Sequence, residues 1–131
     1  LAVIRRMVRD LAIPVRIVPG PLVRDTDGVA LSSRNKYLTP ELRTRAASLH
    51  RALFAMRDAD GADVAGRLAL GRGLLDCDRL DYLELVDAES LLPLESGATS
   101  LDRPARALVA AYYGATRLID NVAVGPDTAT G

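Results

Sequence analysis

Ser32, Ser33, Arg34 and Asn35 stand in an unbroken row. Two neighbouring hydroxyls and their amides can donate to phosphate oxygens, and a guanidinium can grip a phosphate through two parallel hydrogen bonds. Gly28, a little upstream, permits a backbone turn close to a ligand. The chemistry open to this row is the binding of an anion. The same residues also compose an ordinary surface turn, and on residue types alone both readings stand.

The other candidates point elsewhere. His50 is the only histidine, so the sequence holds neither a His-x-Gly-His nucleotidyl-transfer motif nor a histidine-pair zinc site. On helical spacing His50 falls beside Leu49 and Leu53 and reads as a surface or half-buried packing residue. Lys36 is the only lysine, and no Gly-x-x-x-x-Gly-Lys-Ser/Thr phosphate loop is present. Gly71-Arg72-Gly73 lacks a preceding strand and reads as a loose helix end. Asp76-Cys77-Asp78 offers two carboxylates without a third metal ligand and reads as a solvated loop, so no metal site is expected. Asp81, Glu84 and Asp87 read as the polar face and end of one strand. Cys77, the single cysteine, excludes an intrachain disulfide framework and fits a reducing cytosol; it reads as structural.

Composition narrows the class. The chain has 131 residues, 49% of them hydrophobic and 26% charged, which suits a folded globular domain. No apolar run approaches the ~20 residues of a membrane span. Tryptophan is absent and aromatics make up 4%, which argues against a base-stacking platform. Seventeen basic and seventeen acidic side chains cancel overall. They are not evenly spread: residues 1–57 hold eleven basic and four acidic side chains, and residues 58–131 hold six and thirteen. The halves therefore carry +7 and −7. Most of the basic excess falls on helices; only Arg24, Arg34 and Lys36 lie in or beside the Ser-Ser-Arg row.

The elements that must position that row follow from periodicity. Leu1, Ile4, Val8 and Leu11 recur at helical spacing, with arginines mostly opposite, and predict an amphipathic helix without a polar N-cap. Pro14 ends it. Val15 to Val18 reads as a short buried strand, broken by Pro19-Gly20-Pro21. Residues 22–38 are too polar and irregular for a core element and read as a long functional loop. Thr39-Pro40-Glu41 predicts a helix start, with a hydroxyl cap, proline at the first position and an acid at the positive end of the dipole. Leu42, Ala46, Leu49, Leu53 and Met56 mark its inner face, and it ends near Asp58. Val64, Leu68 and Leu75 suggest another helix, weakened by Gly66, Gly71 and Gly73. Asp81 to Asp87 alternates as a strand, with Tyr82, Glu84 and Val86 on one face and Leu83 and Leu85 on the other. Ala105 to Tyr113 and Thr116 to Val124, joined at Gly114-Ala115, predict a hairpin. Residues 125–131 read as a disordered tail.

Four blocks in order resemble one family. Asp27 to Leu38, DGVALSSRNKYL, resembles the DGLA(M/L)SSRN-x-Y-L signature of the AMP-forming pantoate–β-alanine ligases. Val3 to Leu11, with Ile17-Val18-Pro19 and Pro21 to Arg24, resembles the helix, last nucleotide-domain strand and strand exit of that family. Asp81 to Asp87 resembles its D-Y-x-E-x-V-D strand, and Thr116 to Asn121 its terminal T-R-L-I-D-N. The resemblance is to the C-terminal part alone. It implies an α+β fold: a small domain with a three-stranded antiparallel sheet and helices, preceded by the last helix and strand of a Rossmann-like nucleotidyltransferase domain. Residues 1–22 would be the remnant of that first domain, 23–38 an ATP-contacting loop, 39–124 the second domain and 125–131 the tail.

The resemblance also implies an activity. The family condenses pantoate with β-alanine at the expense of ATP through pantoyl adenylate, with Mg2+ neutralising phosphate charge. Carried over by position, Val23 would lie at the adenosine; Leu31, Ser32, Ser33 and Arg34 would line ATP and its phosphates; Arg34 would stabilise charge as the catalytic residue. The His-x-Gly-His motif and the pantoate-binding glutamines have no counterpart here, since the sequence contains no glutamine. The family's Lys-Asp-Tyr-Gln-Gln block would fall just before Leu1. The chain is therefore expected to be the C-terminal ATP-lid part of a longer cytoplasmic enzyme, a homodimer in its full-length form. Pantoate and β-alanine would be held mainly by the missing half, and the isolated part would be inactive. The alternative is a non-catalytic nucleotide-contacting or oligomerisation module, in which Val15 to Val18 is a sticky edge. A nucleic-acid binder, resting on the +7 half alone, ranks last, and no membrane association is expected.

Overall fold

The computed structural model describes residues 1–98 and 101–126. Its helices are α1 (Ala2–Asp10), α2 (Pro40–Asp58) and α3 (Val64–Leu74), and its strands β1 (Arg79–Asp87), β2 (Ala105–Tyr113) and β3 (Thr116–Val124). The strands form an antiparallel sheet in the order β1-β2-β3. Tyr113 pairs with Thr116 across the expected tight turn, where Gly114 has φ +58°. The expected α+β class is observed, and β1 begins slightly earlier than the alternation predicts.

α2 and α3 cover one face of the sheet. Leu49, Leu53 and Met56 of α2 meet Leu83 and Leu85 of β1, Val109 and Tyr113 of β2, and Leu118 and Val124 of β3. Alanines at Ala105, Ala107 and Ala111 are buried along the central strand. Gly71 is buried too. A Cβ there would collide with the Met56 thioether and lie 3.1 Å from Leu83 Cδ2, so the glycine read as loosening α3 is what lets it sit against α2. Val86, assigned to the polar face, is buried as well; the chain folds back so that Pro93 bridges to it.

α2 starts as the sequence predicts. Thr39 Oγ1 accepts the Leu42 amide at 3.3 Å, Pro40 opens the first turn, and Glu41 follows. α3 is capped by Asp63, whose Oδ1 accepts from Gly66 N at 2.7 Å. The register of β1 shifts between Leu80 and Tyr82, which leaves Asp81 out of the ladder. That irregularity aims Asp81 across β2 to Arg117 on β3, at 2.8 Å.

The N-terminal segment departs from expectation. α1 forms, but no residue of it is buried; Val3 is 68% exposed and Leu11 66%. Arg9 meets Glu89 at 2.6 Å, so the basic face looks toward the domain. The expected strand Val15–Val18 is not formed, and both Val15 and Val18 are exposed. A strand requires a hydrogen-bonded neighbour, and the only described sheet is completed by β1, β2 and β3. Gly125 and Pro126 lie in a bend beyond β3; the rest of the expected tail falls outside the described residues. No helix among the described residues is long and apolar enough to cross a membrane.

Candidate functional site

The long polar loop is ordered by its own short-range chemistry. Asp25 N bonds to Val29 O at 2.9 Å and Leu31 N to Val23 O at 3.0 Å, while Arg24 and Ala30 form an antiparallel bridge. Residues 23–31 are thus a small hairpin closed by a turn over Asp25–Gly28. Asp27 Oδ1 accepts the Val29 amide at 3.1 Å, an Asx turn of the kind aspartate favours. Beyond Leu31 the chain leaves the hairpin. Ser32 is extended and its Oγ accepts the Arg34 amide at 3.2 Å, which starts a single 3-10 turn over Ser33–Tyr37. Asn35 ties that turn back through Nδ2 to Ala30 O at 3.0 Å.

Two arginines fix the hairpin to the domain. Arg43 of α2 donates to Asp27 at 2.6 Å and to Asp25 at 2.8 Å. Arg24 reaches β3, where its fork meets both carboxylate oxygens of Asp120, at 2.5 and 2.8 Å. The same guanidinium donates to Gly28 O at 3.0 Å and to Asn121 O at 3.4 Å. Under the turn lies His50. Gly28 has φ +84°, and a Cβ there would sit 2.6 Å from His50 Cδ2. The imidazole packs on Phe54 with centroids 4.0 Å apart, and its Nδ1 is buried without a partner. Burial, reinforced by the nearby Arg24 charge, pushes its pKa below the ordinary histidine value. His50 is therefore a neutral packing support for the turn, in keeping with its reading as a packing residue.

The result is a cleft of about 590 Å³. Val23, Leu31, Ser32 and Arg34 all line it, with Asn35 beside them. Ala46 and Leu49 of α2 form part of its wall, and Arg117 to Asn121 of β3 form another part. Ser33 alone of the expected ligands is outside the lining and sits in the first position of the 3-10 turn. Sequence reasoning does not single out the β3 wall as part of the site. Its signal is the terminal T-R-L-I-D-N block, which the resemblance supplies but to which it gives no role.

Charge in the cleft is sorted by partner. Arg24 is satisfied by Asp120, Arg117 by Asp81, and Lys36 lies 5.0 Å over the Tyr37 ring. Arg34 is exposed, and among the described residues it has no carboxylate partner. Of the three loop cations read from the sequence, Arg34 alone lines the cleft and has no carboxylate partner among the described residues. The described residues do not make a magnesium site. No group of three metal-ligating side chains occurs among them, and Asp25, Asp27 and Asp120 around the cleft are each held by an arginine.

The hold on the loop depends on acid. Arg43's hydrogen bond, followed by the Val29 amide, keeps the Asp27 carboxyl below its usual pKa. A folded pKa below the unfolded one contributes stability above the unfolded value, about 4. That contribution is lost as pH falls through the lower, folded value. Amide resonances of residues 25–29 should therefore broaden or shift on acidification below about pH 4 while those of β2 and β3 hold. A loop that melts already near pH 6, well above the carboxylate range, would refute this account.

Comparison with known proteins places the chain in one family. The family model described as Pantoate-beta-alanine ligase matches residues 1–123. A pantothenate synthetase of Paramagnetospirillum magneticum is 50% identical over a match that covers 96% of this chain and 45% of that protein. The crystal structure of the Thermus thermophilus pantothenate synthetase superposes with a TM-score of 0.84 at 48% identity, covering 95% of this chain and 46% of that one. A pantoate-β-alanine ligase from Francisella tularensis, complexed with β,γ-ATP and β-alanine, superposes with a TM-score of 0.56 at 26% identity over 98% of this chain and 39% of its own. The chain thus spans less than half the length of the relatives it matches.

Proposed function

The chain belongs to the pantoate–β-alanine ligase family, and on that premise we propose that its cleft closes over ATP during the adenylation of pantoate. The observation that carries the reading is the free Arg34 beside Ser32 in the one cleft that also holds Val23 and Leu31. In the reaction the pantoate carboxylate attacks the α-phosphorus, pyrophosphate leaves, and pantoyl adenylate forms. The β-alanine amine then displaces AMP. Val23 and Leu31 offer apolar contact to the adenosine. The Ser32 and Ser33 hydroxyls and amides donate to phosphate oxygens, and Arg34 stabilises the charge that builds on the departing pyrophosphate.

This chain's residues account for only part of that work. Pantoate binding and the first contacts to ATP fall to the remainder of the longer protein, and the 131 residues alone are inactive. The exposed apolar stripe of α1 and the unpaired segment 13–22 support that division, because both are surfaces suited to packing against more chain. The same exposure also favours a second reading, a nucleotide-contacting or oligomerisation module without catalysis.

One experiment separates them. The chain is mixed with the N-terminal part of the Thermus thermophilus relative, the part it does not match, and AMP release is followed with pantoate, β-alanine and ATP. Activity that needs both pieces supports the ligase reading; none in any mixture supports the module. Arg34→Ala should slow pantoyl adenylate formation by about 10²–10³. It should leave attack of β-alanine on supplied pantoyl adenylate nearly unchanged. Equal losses in both steps would sink the phosphate role of Arg34.

A further inference from the structure

The Arg24–Asp120 pair is unlike the other ion pairs of the structure. The Asp120 side chain is 2% exposed and that of Arg24 17%, whereas each of the other ion pairs among the described residues has at least one partner exposed by 35% or more. It joins positions 96 residues apart in sequence. Its geometry is a bidentate fork, and the same two terminal nitrogens also donate to Gly28 O and Asn121 O. Asp120 Oδ1 also accepts its neighbour's amide, Asn121 N, at 2.7 Å. Such a pair is directional, and it holds one relative placement of two segments.

What it holds is the base of the hairpin. Arg24 is bridged to Ala30 through the backbone, and Leu31 N is bonded to Val23 O. Ser32 is the next residue. A shift of Arg24 is therefore passed to Ser32-Ser33-Arg34 through one backbone pairing, with no flexible linker between. The other fastening, Arg43 to Asp25 and Asp27, grips the far end of the turn and is more exposed. We infer that Arg24 and Asp120 are positioning residues: a buried fork on β3 sets where the Ser-Ser-Arg row stands in the cleft, without itself touching the nucleotide. This rests on the reading of the cleft as a nucleotide site. It adds that two of the four sequence blocks, the loop signature's approach and the terminal strand, act as one device.

The test uses the 131-residue chain in solution, with 15N relaxation and ATP titration followed on backbone amides. In the unaltered chain, amides 31–34 should be as ordered as those of β3, and ATP should shift them. Asp120→Asn and Arg24→Lys should each give residues 31–34 fast motion and weaken the apparent ATP affinity at least tenfold, with the amide pattern of β1–β3 retained. The double variant Arg24→Gln with Asp120→Asn removes both charges, leaves no buried ion uncompensated and so keeps the domain folded. It should still loosen the row. Ser48→Ala, which weakens the core away from the loop, should leave the ATP response unchanged, so a general loss of stability cannot imitate the effect. An ordered row and native affinity in all three pair variants would overturn the inference. So would a loosened row that binds ATP as before while Arg34→Ala binds it poorly. If ATP moves no amide of the unaltered chain, either alone or mixed with the N-terminal part of the Thermus thermophilus relative, the nucleotide reading fails, and the relaxation data still decide whether the pair places the row.

Discussion

Arg67→Ala should cost about 3 kcal/mol of folding stability, more than any change to an exposed ion pair of this protein. Arg67 lies on α3 and is 6% exposed, yet among the described residues no carboxylate meets it. Its guanidinium donates instead to the carbonyls of Met56 (2.5 Å), Arg57 (3.0 Å) and Ala62 (3.2 Å). Met56 and Arg57 stand in the last turn of α2, where carbonyl groups have no intrahelical partner and the helix dipole is negative. The cation therefore closes the end of the helix that carries Ala46, Leu49 and His50 under the cleft. Removing it strands the buried Met56 carbonyl, at about 1–3 kcal/mol, and opens a cavity between α2 and α3. Loss of the cation's own burial cost works the other way, and the helix-end hydrogen bonds outweigh it because the Arg57 and Ala62 carbonyls lose their donors too. Urea unfolding should show a midpoint lowered by about 1–2 M at an unchanged m-value. Arg67→Lys, with one short donor group in place of the fork, should recover roughly half. A variant as stable as the parent would mean that water caps α2 equally well.

The contrast between Arg67 and Arg34 explains how much could be read before the fold was known. Helices α2 and α3, the three strands and the hairpin were legible, because capping residues, apolar spacing and alternation are local signals. The Ser-Ser-Arg row was legible as well, since its residue types carry their chemistry with them. Which arginine would be free was not. Arg24, Arg34, Arg43 and Arg67 look alike in sequence, and their fates are set by which elements the fold brings beside them: Arg24 meets Asp120, Arg43 meets Asp25 and Asp27, Arg67 meets the end of α2, and Arg34 meets no carboxylate among the described residues. Counting charge by halves therefore overstated the basic character of the loop. Gly71 misled for a related reason. Its helix propensity is poor, but its value lies in a close approach of Met56 that no local rule contains. Val15–Val18 misled in the opposite sense. It has the composition of a strand, and composition cannot supply the neighbouring strand that would make it one.

Gly28→Ala should unfasten the loop at its turn, and the manner of failure identifies which constraint governs. Two separate demands meet at Gly28. Its φ of +84° is disfavoured for a residue with a side chain, at about 1–2 kcal/mol. A Cβ would also stand 2.6 Å from His50 Cδ2 and 2.9 Å from Cγ, and the ring cannot retreat freely because it packs on Phe54. Overpacking of that kind costs a further ~1–3 kcal/mol. The hairpin holds through few contacts, so it will lift from α2 before the β-sheet yields, and Gly28 O will leave Arg24. A penalty near 3 kcal/mol lowers loop-dependent binding of ATP by about a hundredfold, while the urea midpoint of the domain moves little. Gly28→Asn separates the terms. Asparagine tolerates positive φ but still carries a Cβ, so it should behave like alanine if the contact with His50 dominates and clearly better if the backbone does. His50→Ala combined with Gly28→Ala removes the collision alone and should return the steric share, roughly tenfold in affinity for each 1.4 kcal/mol recovered. The distances favour the steric term, because a methyl group can neither shrink nor rotate away from a ring it already overlaps. If the double variant binds ATP no better than Gly28→Ala itself, His50 is not the floor on which the turn rests.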